Sequence, residues 1–243
     1  MRKCSDIKQE ARGRLKGNYT FFFCAMMIFL LVQTLVYILP SLLFTAGTSA
    51  IFLISQYAVS FMLSVLVNIL RAGLCKMSLD VSRQKQPAVS DLIFGYIHQA
   101  DRFLTLELVI TLIETLTSLP TILFSYFYLN GDCSLLFYVI FVPAWSLVAF
   151  LLNILLTLPL CMAVYCLIDD PHLSGMEAMR RSRRMTHGFR LRLFALQAGF
   201  IGYYILGVAS LLIGFIWILP YRQVTLAECY DEIRHTENPD QAR

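Results

Sequence analysis

The chain has 243 residues, 58% hydrophobic and 15% charged, with a net charge of +4 and a mean hydropathy of +0.65. A soluble domain usually sits near roughly 45–50% apolar and about 25% charged, so these values exclude an ordinary water-soluble globule. The small net charge gives no footprint for nucleic acid as a partner.

All 20 Lys and Arg residues fall in segments 1–20, 71–102, 169–193 and 220–243. Between or beside them run the apolar stretches 21–44, 51–70, 103–129, 134–168 and 194–219, of 24, 20, 27, 35 and 26 residues, with no Lys or Arg. About 20 such residues cross a hydrocarbon core of ~30 Å. The predicted fold is all-α: a polytopic transmembrane helical bundle of about five spans, six being the alternative, with short amphipathic interfacial helices. No room remains for a sizeable soluble part, so residues 1–243 read as a single membrane domain.

The first three basic segments have net charges of +4, +2 and +3, and the tail −2. The connections 45–50 and 130–133 hold no basic residue and one acid, Asp132. The positive-inside rule then makes the N-terminus cytoplasmic in a multi-pass plasma-membrane protein. Five spans put the C-terminus outside. Twenty polar and charged residues before the first run argue against a cleavable signal peptide.

In chain order, residues 6–18 read as a basic amphipathic helix with Ile7, Ala11 and Leu15 on one face. Asp6 and Gln9 suit a capping box, and Glu10 precedes Arg14 by four. Such a helix is expected to lie in the interface plane. Pro40 kinks or ends the first span. The second continues as helix to about Val81. Residues 90–97 suggest a short interfacial helix on Leu92, Ile93 and Tyr96. The third span carries Pro120. The fourth run is too long for one straight crossing, and Pro143 and Pro159 offer breaks. Ser174 and Glu177 form an S-x-x-E capping box for a helix over 173–188, stopped by Gly188. The fifth run holds Gly199, Gly202, Gly207 and Gly214. These permit close helix contact, or a break into a re-entrant hairpin or two short helices that returns the C-terminus to the cytoplasm. Residues 223–233 read as a short helix before a polar tail.

Glu107, Thr111, Glu114 and Ser118 recur at steps of four, three and four, on one face of the third span. An acid near the bilayer midplane costs at least ~2.5 kcal/mol and rarely faces lipid. The face reads either as a proton or cation pathway or as glue between helices. Gln56, Ser60, Ser64 and Asn68 lead toward Arg71, which is expected to pair with Glu107. Asn153 and Thr157 would complete a polar interior. Arg180, Arg181, Arg183 and Arg184 read as a contact for anionic lipid headgroups or a partner protein, or as a topology signal alone. Trp145, Trp217, Tyr203, Tyr204 and Tyr221 read as interfacial anchors.

Of the seven cysteines, only Cys133 and Cys229 would share the outer side, and no metal-ligand spacing appears. Hydrolase, metalloprotease and P-loop motifs are absent, so the expectation is a non-enzyme without cofactor or metal.

Several stretches resemble a bacterial integral-membrane family known as domain of unknown function 975. They are Leu167-Ile168-Asp169-Asp170-Pro171, Leu173-Ser174-Gly175-Met176-Glu177-Ala178, residues 182–188, Phe200-Ile201-Gly202-Tyr203, 214–217, Pro220-Tyr221 and 227–230. At the N-terminus, Lys8-Gln9-Glu10-Ala11-Arg12 and Leu15-Lys16-Gly17-Asn18 are also similar. The resemblance implies a multi-span bacterial inner-membrane protein and no activity. The expected role is a scaffold, regulator or assembly subunit, acting with membrane lipids and a membrane-protein partner or a second copy. The alternative is a small transporter or channel component using the acidic face of the third span.

Overall fold

A computed structural model describes residues 4–15, 17, 19–43, 50–98, 100–131, 134–210 and 214–237, and every regular element among them is a helix. The connection 45–49, Asp132, Cys133 and the final residues 238–243 lie outside the described residues, as do Lys16 and Asn18.

Four helices are long and apolar enough to cross a membrane: residues 19–43, 51–82, 100–128 and 135–169. The first is α2 (Tyr19–Leu43), which runs through Pro40. The second comprises α3 (Ala50–Asn68) and α4 (Leu70–Ser82), joined at Ile69 by tight turns in which Ile69 donates to Leu66 and Ala72 to Ile69. The third is α6 (Ala100–Leu129), which takes Pro120 without breaking. In the fourth, α7 (Leu135–Thr157) passes through Pro143, and the chain breaks only at Pro159. A 3-10 turn over Leu158–Leu160 then leads into α8 (Ala163–Asp169). Only the Pro159 break is present, because Pro143 sits where helix can continue on both sides. Leu31, Leu35, Ile51, Met62, Ile140 and Leu155 are all more than half exposed. Such a surface is unsustainable in water and matches lipid contact.

The fifth apolar run takes the broken form that its glycines left open. It is not one crossing helix but α10 (Arg190–Ala198), α11 (Ile201–Ala209) and the start of α12 (Phe215–Glu237). A Cβ at Gly214 would sit 2.9 Å from the Gly207 Cα, and one at Gly207 would sit 3.0 Å from the Phe215 ring. The glycines thus let α11 pack back on α12. The far half of α12 returns to α1 (Cys4–Leu15), α4 and α8, which places it on the same side as the N-terminal helix. Cys229 is 1% exposed within that core, beside the N-terminal helix rather than on the far side, and Cys133 lies outside the described residues.

One correction concerns α1. It starts at Cys4, so Asp6 lies in its first turn rather than capping it. Ile7, Ala11 and Leu15 form the expected face, but they are at most 2% exposed. The face is covered by α12 and α4 rather than resting on lipid. Lys8 reaches over the Phe200 ring, 4.6 Å from its centroid, tying α1 to the α10–α11 corner.

The core therefore lies in one half of the molecule. Its larger cluster joins Ile69, Leu79, Phe103, Leu106, Met162, Tyr165, Leu193, Leu196 and Tyr230, and a smaller one joins Leu15, Phe22, Leu74, Met77 and Val224. Between α4 and α6, a 3-10 turn (Val89–Ile93) and the one-turn α5 (Phe94–Ile97) dock on α4. A Cβ at Gly73 would run into the carbonyls of Asp91 and Leu92, so the docking needs that glycine.

Candidate functional site

The polar face of the third span is mostly spent on helix contacts. Glu107, 1% exposed, receives Arg71 Nη2 on both oxygens at 2.7 and 2.8 Å and Arg71 Nε at 3.3 Å. α3 packs on α6, and Arg71, at the start of α4 just beyond α3, thereby meets Glu107 of α6. Thr111 accepts from Asn68 at 3.3 Å, and the Ser118 hydroxyl donates to the Thr115 carbonyl of its own helix. Asn153 donates to the Thr117 hydroxyl at 2.7 Å, and Thr157 donates to the Asn153 carbonyl. Trp145 donates to the Thr117 carbonyl at 3.1 Å, which makes it an interhelical link. Gln56, Ser60 and Ser64 join no interhelical hydrogen bond among the described residues.

Glu114 differs. It is exposed to a cavity of about 220 Å³ between α4, α6, α8 and α12, which Arg71, Tyr165, Gln197, Arg222 and Gln223 also line. No described carboxylate pairs with Arg222. Two arginines, Arg71 and Arg222, and one acid, Glu114, line the cavity, and Arg71 is already paired with Glu107.

A second cluster closes the end of the molecule beside α1. α4 stops because Gln84 adopts a left-handed φ of 58°, with Lys85 donating to the Asp80 carbonyl at 2.7 Å. This aims Arg83 at two acids: Asp169 at 2.6 and 2.8 Å and Asp231 at 2.7 Å. Asp169 also receives Arg234 at 2.5 Å and the Tyr230 hydroxyl at 3.0 Å. Ser82 donates to Asp231 at 3.2 Å. The ends of α4, α8 and α12 are thus bound through one carboxylate. The paired carboxylates hold the Arg83 guanidinium well above its usual pKa, against the cost of its partial burial. Nearby, Arg14 pairs with Glu10 and lies 2.9 Å from Glu228 Oε1, off the line of a hydrogen bond. Burial pushes Glu228 up to about 7, against the pull of Arg14.

The turn after α8 is held locally. The His172 amide donates to the Asp170 side chain, and Arg102 donates to the Asp170 and Leu173 carbonyls at 3.1 Å each. Ser174 and Glu177 then form the capping box that starts α9 (Gly175–Thr186). The Ser174 bonds keep the exposed Glu177 carboxyl below its usual pKa. Gly175 abuts Arg102 and Thr105 of α6, and the Ser182 hydroxyl donates at 2.7 Å to the Pro159 carbonyl, within the break in the fourth span. α9 is therefore fixed across the inner ends of α6 and α7.

This placement builds a groove of about 520 Å³. Val109, Ile113, Leu155 and Leu156 form its walls, and Met176, Arg180, Arg183 and Arg190 border it. Arg180, Arg183, Arg184 and Arg190 are exposed and pair with no described carboxylate. Arg181 instead lies 3.6 Å from Asp170. The four arginines read together from the sequence therefore separate: two face the groove, one is drawn to the turn, and Arg184 points elsewhere.

A family model described as "Protein of unknown function (DUF975)" matches residues 1–237. The chain belongs to this family. No curated protein and no solved structure matches it. For this DUF975 protein, the geometry adds residues that sequence spacing did not point to. Arg190 joins the groove from the next helix, and Arg222, Gln197 and Gln223 reach the cavity from segments read as lipid-embedded or as tail. In the sequence Asp169 stood out only within the Leu167–Pro171 stretch of the family resemblance, and its role as a clamp depends on α12 folding back. Among the described residues, no group of three or more His, Cys, Asp and Glu side chains is arranged to hold a metal.

Proposed function

We propose that this protein is a non-enzymatic module of the bacterial plasma membrane, a scaffold, regulator or assembly subunit, with its N-terminus in the cytoplasm. The observation that carries this reading is the fate of the acidic face. Glu107 is neutralised by Arg71 and Thr111 is bonded to Asn68, so two of the four positions serve helix association, and the Ser118 hydroxyl is satisfied within its own helix. A polar lane for ions needs groups left available along the whole face. Meanwhile the exposed arginines of α9 and α10 stand on a rigidly held inner surface, which suits contact with a membrane partner or a second copy.

The test is cross-linking with mass spectrometry in native membranes, with and without neutralisation of Arg180, Arg183 and Arg184. A scaffold gives a defined partner, protein or second copy, that is lost in the variant. Absence of any specific cross-link, together with proton or cation flux in liposomes that Glu114→Gln abolishes, refutes the reading. That result would favour the alternative, a small transporter or channel component, for which the cavity beside Glu114 and Arg222 is the supporting observation.

A further inference from the structure

We infer that the groove between α6, α7 and α9 is a binding site for one anionic phospholipid, its phosphate held by Arg180, Arg183 and Arg190. The site goes beyond the scaffold reading and depends only on the chain residing in a membrane.

Three features select this occupant. The first is charge. Three cations border one groove, and none has a described carboxylate partner, while Arg181 and Arg192 of the same segment are paired to Asp170 and Glu232. The ligand therefore carries the negative charge. The second is the wall. Val109, Ile113, Leu155 and Leu156 are apolar and continue into the exposed surfaces of α6 and α7, where Leu108, Leu112 and Leu151 are 41, 44 and 55% exposed. A free anion gains nothing from such a wall, whereas an acyl chain entering sideways from the bilayer does. The third is rigidity. Met176, Arg180 and Arg183 recur at steps of four and three on one face of α9, and that helix is pinned by its capping box, by Gly175 against α6 and by Ser182 on the Pro159 carbonyl. The arginines are thus presented at a fixed position rather than scattered over a mobile loop. Basic pockets between spans on the inner side are a known way to hold acidic headgroups.

The experiment uses the full chain in nanodiscs of phosphatidylcholine, titrated with phosphatidylglycerol and read by native mass spectrometry. Two charge-matched variants are compared, R180Q/R183Q in the groove and R181Q/R184Q outside it. The groove variant is expected to weaken lipid retention about thirtyfold, equivalent to ~2 kcal/mol at 1.4 kcal/mol per tenfold. The outside variant is expected to change it less than threefold. Equal losses in both variants would mean diffuse surface attraction and overturn the site. So would equal retention of added phosphatidylcholine. Displacement of the lipid by millimolar inorganic phosphate would overturn the lipid assignment in favour of a simple anion site. None of these readouts involves a protein partner or ion flux, so failure here is distinct from failure of the scaffold reading.

Discussion

Replacing Asp169 with Asn tests whether one carboxylate binds the inner ends of three helices. The substitution keeps the shape and removes the charge that receives Arg83 at 2.6 and 2.8 Å, Arg234 at 2.5 Å and Tyr230 at 3.0 Å. Breaking a buried ion pair by removing one partner costs roughly 3–5 kcal/mol. Here the arginine side chains are 29 and 31% exposed, and Arg83 keeps Asp231 at 2.7 Å. Solvent screening and the remaining partner reduce the expected loss to about 2–3 kcal/mol. At roughly 2–4 °C per kcal/mol for a chain of this size, melting falls by about 4–12 °C. The assay is thiol-dye labelling of detergent-solubilised protein during a thermal ramp. Cys75, Cys166 and Cys229 are at most 6% exposed in the same core and become reactive as it opens. The variant Asp231→Asn, which leaves the Arg83 and Arg234 bonds to Asp169 in place, should cost less. A shift below 1 °C for Asp169→Asn, or a larger shift for Asp231→Asn, refutes the argument that the cluster is centred on Asp169.

Removing Arg71 or Glu107 singly, as Arg71→Met or Glu107→Leu, should each destabilise by about 3–5 kcal/mol, while the double variant recovers most of the loss; a double variant no better than the worse single one contradicts this in the same labelling assay. Gly73→Ala should cost about 1–3 kcal/mol, because its Cβ meets the Leu92 and Asp91 carbonyls. Gly202→Ala, where nothing lies within 4 Å, should be neutral or stabilising, and similar effects at the two positions would refute the close approach. Glu228 is raised by burial to about 7 from an ordinary 4.5, so between those pH values the folded protein holds a proton that the unfolded chain has released. Its contribution is therefore greatest below the ordinary value, falls as pH rises to about 7 and is flat above, with a total on the order of 2 kcal/mol. The wild-type melting curve minus that of Glu228→Gln should show this decline, and a difference independent of pH between 5 and 8 would contradict it. Reporters fused to both chain ends should be accessible from one and the same side of the membrane, and opposite sides would contradict the return of α12.

The crossings were legible because lipid imposes a demand that sequence cannot hide: long runs without Lys or Arg. The start of α9 was legible because a capping box is local, with Ser174 and Glu177 three residues apart. The meeting of Arg71 with Glu107 followed from antiparallel neighbours with charges at matching depth. The fifth run stayed open between one crossing and a break for the opposite reason. Hydropathy sums side chains, whereas the packing of α11 on α12 rests on close approach at Gly207 and Gly214. Periodicity likewise revealed which face of α1 is apolar but not what covers it, since lipid and α12 demand the same residues. Arg190 and Arg222 gain their surroundings only from tertiary placement, and no spacing within their own segments signals it.

The first described helix is covered by the last. During synthesis, Ile7, Ala11 and Leu15 emerge some two hundred residues before Val224 and its neighbours exist. Until then α4 can cover only part of that face, and the bilayer surface is the apolar shelter open to the rest. The face that α12 covers in the finished fold is thus one that lipid can shelter beforehand, since both demand the same apolar side chains. A protein cut short before α12 would keep its leading helix on lipid, with its inner core unsealed.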